Sequence, residues 1–317
     1  MIPKPDWLPD ATWLTDFWKC PEAARLRHEL GWVPFREDEA PRSGQALHAG
    51  LKAWFAGKQS GVEAALAALR ADWKEEPVEE EGLALFGPPQ VVQRPLELFE
   101  RIVCGYAERW PREQDRFQVL DNEGYEEQFI DRWGAGFWWC GRKDRRIRWE
   151  DGSESIQDTK STALRIDEGY LEAYQLNAQT RGYLAMELCK GNTRCTSVYI
   201  DAVHVDTYKK RKTKSGFTVY GGTVEPGHFV RHGPISVDDW KLSEWARSVE
   251  AALRLREHFL TDYGPEARWE QRDSNCFRWG KPCSYWGVCN LHRDALPATL
   301  ERDFMVRRWE PNPERAI

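Results

Sequence analysis

An excess of basic charge is missing from this chain. Its 45 Lys and Arg face 51 Asp and Glu, a formal net charge of −6. Neutralising phosphates takes Lys and Arg, so the overall balance counts against a nucleic-acid partner unless charge is segregated. No stretch approaches the roughly 18 consecutive apolar residues of a membrane span, so no membrane partner is expected. Residues 1–10 (MIPKPDWLPD) lack the basic n-region and apolar h-region of a secretory signal. A cytoplasmic location is therefore the default expectation. There is no internal repeat, no low-complexity tract and no C-x2-C pair, and the last of these absences lowers a zinc-ribbon reading. What is present is a chain of 317 residues, 41% hydrophobic and 30% charged, a composition able to build a globular core.

The charge that exists is uneven. Residues 72–81 carry six acids and one base, residues 142–148 (RKDRRIR) five bases and one acid, and residues 209–214 (KKRKTK) five bases and no acid. A local basic surface can exist on an acidic protein, although each run also reads as a solvated loop or strand edge. Eight cysteines stand at 20, 104, 140, 189, 195, 276, 283 and 289. In a reducing compartment, metal binding or packing explains them better than disulfides do. Cys104 and Cys140 lie in apolar patterns and read as packing residues; Cys189 and Cys195 suggest no chemical role.

Periodicity predicts helices over 21–30, 44–56, 61–75, 94–110 and 168–188. Strands are predicted at 116–120, 126–130, 136–142, 145–149, 155–160, 196–206 and 217–224, with Asp151-Gly152 as a hairpin turn. Ser236 and Asp239 resemble a capping box opening a helix that runs to about 260. The last ~55 residues are irregular and rich in Trp, Cys and Pro. The order predicts an α/β fold, 1–317 as a single domain with a central mixed sheet flanked by helices. A helical lobe is expected over 44–115, the functional sheet and its following helix over 116–235. Of the 17 tryptophans, Trp138 and Trp139 fall on opposite faces of one strand, so at most one looks into a groove.

Asp158 and Lys160, at i and i+2 of a strand, project together. The neighbouring hairpin strand brings Asp144 beside them. Two carboxylates and a backbone carbonyl make a hard-oxygen site for Mg²⁺ or Mn²⁺. A lysine there can orient or help deprotonate a water and stabilise charge on a phosphate. Cys276-x6-Cys283-x5-Cys289 needs a fourth ligand for a tetrahedral or cubane site, and Cys20 is the candidate, pairing the tail over 262–295 with the start of the chain.

The spacing Asp144-x13-Asp158-x-Lys160 resembles the PD-(D/E)XK nuclease superfamily. Three further elements appear in that family's order. Gly44-x3-His48 is similar to the RecB-like histidine motif, Gly141-x2-Asp144 to its glycine–aspartate element, and Gln179-x3-Tyr183 to its Q-x3-Y motif. The likeness implies a restriction-endonuclease-like core and a metal-dependent DNA nuclease, an exonuclease acting at DNA ends, with single strands among its expected substrates. It implies His48, Asp144, Asp158 and the Thr159 carbonyl as metal ligands, Lys160 on the water, and Gln179 and Tyr183 in support. A nitrogen ligand tilts preference toward Mn²⁺ over Mg²⁺. Glu127 resembles an additional acid that the family places before the glycine–aspartate strand.

One early and three late cysteines resemble the iron–sulfur members of the family, found in CRISPR adaptation, in AddB-type recombination nucleases and in phages. That likeness implies a 4Fe-4S cluster on Cys20, Cys276, Cys283 and Cys289, with zinc as the alternative. Its implied partners are DNA and a recombination, replication or CRISPR-adaptation protein. The competing expectation is a catalytically inactive DNA-binding or scaffolding protein on a nuclease fold.

Overall fold

In the computed structural model the described residues are 3–34, 39–56, 61–73, 96–205, 209–212, 218–221, 224–278, 281–291 and 295–307. In chain order they form α1 (Ala11–Lys19), α2 (Pro21–Ala24), β1 (Trp32–Pro34), α3 (Glu39–Phe55), α4 (Val62–Asp72) and α5 (Leu96–Arg109). Then come β2 (Phe117–Ile130), β3 (Phe137–Trp149), β4 (Glu154–Thr162), α6 (Glu168–Glu172), α7 (Ala178–Cys189), β5 (Cys195–His204), β6 (Lys209–Lys212), β7 (Thr218–Gly221) and β8 (Phe229–Ser236). The C-terminal part holds α8 (Asp239–Asp262), β9 (Phe277–Arg278), β10 (Lys281–Pro282), α9 (Trp286–Cys289), α10 (Leu296–Asp303) and β11 (Phe304–Val306).

The central sheet has the order β2-β3-β4-β5-β8. All its pairs are antiparallel except β4–β5. That parallel pair is joined through α6 and α7, the long crossover a parallel connection demands. This is the mixed sheet flanked by helices that the sequence predicts. Strand alternation divides β5 between two layers. Val203 belongs to the core formed with Leu47, Leu51, Phe99 and Tyr106 of α3 and α5. Val198 and Ile200 belong to the core formed with Tyr183 and Leu184 of α7. Next to the latter, Trp13 and Phe17 of α1, Trp139 of β3 and Trp245 and Val249 of α8 close a tryptophan-rich cluster.

Several sequence expectations shift. The pairs of short strands at 116–120/126–130 and 136–142/145–149 are two unbroken strands, β2 and β3. Their polar midsections are satisfied by ladder hydrogen bonds and by ion pairs, so polarity there does not end the strand. The helix expected over 168–188 is interrupted: Asn177 restarts it as an N-cap, its side chain accepting from Gln179 N at 2.7 Å. Residues 217–224 contribute β7 (218–221), which among the described residues pairs only with β6, in a hairpin separate from the central sheet. The fifth strand of the sheet is β8, disguised by Gly233-Pro234. The capping box at Ser236 and Asp239 is not formed; α8 is capped at Asp238 without a side-chain hydrogen bond. α3 begins at Glu39 rather than 44, and 25–29 is a π-helical turn. Trp139 is buried and Trp138 half-buried, as their opposite faces require. Of the acidic stretch 72–81, the residues from 74 on lie outside the described residues, as do 213–214 of the basic run and the side chains of 209–212.

The C-terminal segment folds back on the start of the chain. β11 pairs with β1, and Leu26, Tyr285, Val288, Leu300 and Phe304 share a small core. Glu22 and Arg25 form a buried pair. Glu22 also accepts from Trp269 N at 2.8 Å, and Arg25 donates to the Pro265 carbonyl at 2.7 Å. Among the described residues no helix is long and apolar enough to cross a membrane.

Candidate active site

β3 and β4 pair from Arg148↔Glu154 to Arg145↔Gln157 and then part. β4 keeps its partner β5 through Thr162↔His204. Asp144 and Asp158 are the next residues on the two parting strands, so both carboxylates sit in the opening, and both are buried. Lys160, two residues beyond Asp158, reaches back to it at 2.7 Å. The sequence expectation that the hairpin brings Asp144 beside Asp158 and Lys160 describes this arrangement.

The supporting residues arrive from both helical layers. His48 of α3 places Nδ1 3.3 Å from Asp144 Oδ2. That same oxygen accepts from Thr159 N at 2.6 Å. From α7, Gln179 Oε1 accepts from Lys160 Nζ at 2.7 Å, and Gln179 Nε2 donates to Tyr183 Oη at 2.7 Å. Tyr183 in turn donates to the Arg142 carbonyl. The glycines of these elements are explained by close approach: a Cβ on Gly141 would lie 3.0 Å from the Tyr183 ring, and one on Gly182 2.7 Å from Trp139 Nε1. Gly44, four residues before His48, lies against Ser161, where a Cβ would come within 3.1 Å of its Oγ. Each glycine lets a helix settle close to the strand it serves.

Electrostatics separate the two carboxylates. Burial alone would raise Asp144, but His48, Lys160 and Arg145 hold it well below the usual carboxylate range. Burial and the neighbouring Asp144 push Asp158 upward against the pull of Lys160. Burial disfavours the charged forms of His48 and Lys160, yet the carboxylates beside them win and raise both. Asp158 Oδ1 is buried with no hydrogen-bond partner. An orphaned carboxylate oxygen in a buried site is costly, and a cation beside it removes the cost. The donor set here, two carboxylates and an imidazole, therefore fits a divalent ion. Among the described residues no three His, Cys, Asp or Glu stand arranged to hold a metal ion; Thr159 N, His48 and Lys160 occupy the inner carboxylate oxygens instead.

Glu127 does not join the site. It holds Lys4 and the Tyr125 hydroxyl, and it pairs across the sheet with Cys140, well along β3 from Asp144. The acid that β2 does bring close is Glu123, which sequence reasoning missed. It has φ +57, bonds Lys52 of α3 at 3.0 Å, and lines a cavity of about 660 Å³ together with His48, Arg142, Asp144, Gln179 and Tyr183. The polar tract Asn122-Glu123-Gly124 inside a strand was its only sequence signal. Also missed was the polar layer behind β4. Arg145 donates to Thr159 Oγ1 and, at 3.1 Å, to Gln157, and stacks over Phe55. Asp201 of β5, wholly buried, accepts from Tyr106.

Cys20, Cys276, Cys283 and Cys289 line one cavity of about 340 Å³, with Lys19, Arg27 and Arg272 at its wall. All four are free thiols. Four convergent thiols are the donor set a cluster or a zinc ion takes, although they are not drawn into ligating arrangement. Cys140 is buried, and Cys104 packs at the edge of the helical core; Cys189 and Cys195 pack in the other two layers.

A mixed sheet whose central strands part to expose an Asp, Asp and Lys set defines a restriction-endonuclease-like fold. Residues 11–290 match the family model of the PD-(D/E)XK nuclease superfamily. The chain belongs to that superfamily, whose members are typically nucleases. No curated protein matches it. Among solved structures, the one described as "Crystal structure of SSO0001" is similar at 13% identity with a TM-score of 0.29, over 76% of this chain and 86% of that one.

Proposed function

We propose that the protein is a metal-dependent deoxyribonuclease, an exonuclease of the RecB-like type acting at DNA ends. The observation that carries the reading is the buried pair Asp144 and Asp158, with Asp158 Oδ1 orphaned, His48 3.3 Å from Asp144 and Lys160 2.7 Å from the other oxygen of Asp158. His48, Asp144, Asp158 and the Thr159 carbonyl would hold Mg²⁺ or Mn²⁺. When bound, the ion supplies Lewis-acid polarisation of the phosphate and a more acidic water. Lys160, held between Asp158 and Gln179, orients the attacking water and offsets negative charge gathering on the phosphate. Gln179 and Tyr183 fix the direction of that ammonium. End-labelled single- and double-stranded DNA with Mn²⁺ tests the reading. Wild type should cut, and Lys160→Ala should stay folded and lose at least ~10²-fold in rate, the scale of one lost transition-state contact. Wild-type activity in Lys160→Ala would refute the assignment. A wild type that binds DNA and never cuts would favour the scaffolding alternative.

For the four cysteines we propose a 4Fe-4S cluster, supported by their shared cavity and by the likeness to iron–sulfur nucleases. Anaerobically purified protein should contain iron and sulfide and absorb in the visible. Zinc in their place would overturn this and leave the thiol site a structural zinc centre.

A further inference from the structure

The basic run 142–148 is mostly spent inside the molecule. Lys143 is held by Glu126 and Glu187, Arg145 by Gln157 and Thr159. Arg146 stands 3.6 Å from Glu187, and Arg148 2.8 Å from Glu154. Arg142 differs. It is exposed, and among the described residues its guanidinium has no hydrogen bond or ion pair. It lines the 660 Å³ cavity that also holds His48, Asp144, Gln179 and Tyr183. On β3 it stands two residues from Asp144, hence on the same side of the strand and ~6.6 Å along it. The lysine of that cavity, Lys52, is already neutralised by Glu123.

The backbone of Arg142 is fixed as its side chain is not. Its carbonyl accepts from Tyr183, which accepts from Gln179, which accepts from Lys160. The hydrogen-bond chain that aims Lys160 therefore also fixes where Arg142 leaves the strand. We propose that Arg142 is a DNA-binding residue that grips a backbone phosphate next to the one being cut, a cation of the cleft with no carboxylate partner among the described residues. The inference rests on the nuclease reading above. A guanidinium suits this task because its forked donors match two phosphate oxygens at once.

The test is binding of a labelled oligonucleotide, followed by fluorescence anisotropy across a salt series in chelating buffer, beside cleavage kinetics with Mn²⁺. Arg142→Ala should weaken binding about 10-fold and lower the slope of log affinity against log salt by about 1, one phosphate contact. KM should rise by a similar factor while kcat changes little. Arg142→Lys should keep the slope and recover part of the affinity. A merely structural role would leave the salt slope unchanged, and equal binding by wild type and Arg142→Ala overturns the proposal. If wild type binds DNA with Arg142 contributing as stated but never cuts, the nuclease reading fails, and of this proposal the phosphate contact stands while its place beside a cut phosphate is overturned. A wild type that binds no DNA overturns both.

Discussion

Asp158→Asn is expected to lower DNA cleavage by at least ~10³-fold and, in chelating buffer, to make the protein slightly more stable. The two effects share one cause. Asp158 is 3% exposed, lies beside a second carboxylate and has an oxygen with no partner. Burial and Asp144 both oppose its charge. With no cation bound, the charged form is a cost the fold bears. Asparagine keeps an acceptor for Lys160 and removes the repulsion, worth about 1 kcal/mol and about 2 °C in Tm. Activity goes the other way. The electrostatic contribution of such a site amounts to several kcal/mol, and about 1.4 kcal/mol corresponds to tenfold in rate. Thermal melts in EDTA and single-turnover cleavage with Mn²⁺ read the two sides. A variant that melts several degrees lower would show that the carboxylate is a structural member, and the site would need another centre.

The grouping of Asp144, Asp158, Lys160, Gln179 and Tyr183 was legible because these residues follow local rules. Asp158 and Lys160 share a strand face by period two, Gln179 and Tyr183 share a helix face by i,i+4, and the Asp151-Gly152 turn fixes which strand lies beside them. What failed was long-range. Glu127 and Glu123 are both acids on β2, and only the pairing register with β3 decides which one lies near Asp144. The basic run 142–148 looked like a surface. In place, it belongs to a sheet strand on which Lys143, Arg146 and Arg148 meet Glu126, Glu154 and Glu187, and Arg145 is held by Gln157 and Thr159, leaving Arg142 exposed. β8 was hidden because proline and glycine read as strand breakers, while an edge strand tolerates both. The convergence of Cys20 with the three late cysteines, in contrast, was legible from counting ligands.

Glu187 has the other large expected effect, and on stability rather than chemistry. It is fully buried in α7, where Lys143 reaches it from β3, Asn192 donates at 2.7 Å and Arg146 stands 3.6 Å away. Burial disfavours its charge, but these partners more than compensate and bring its pKa from 4.5 down to about 2. A carboxylate depressed on folding contributes stability above its unfolded pKa and loses it as pH falls through the folded one. The contribution of Glu187 is therefore complete above about pH 4.5 and fades toward about pH 2. At about 1.4 kcal/mol per pKa unit, Glu187→Gln should cost about 3 kcal/mol at neutral pH, the range found when a buried pair is broken. Urea denaturation of wild type and variant should show that gap near pH 7 and a much smaller one near pH 3. A gap that is absent at neutral pH, or constant with pH, would mean that packing rather than charge holds α7 to β3. The distinction bears on the proposed active site, because the same helix carries Gln179 and Tyr183. If charge is the anchor, losing it at low pH should loosen the support of Lys160 before the sheet itself unfolds.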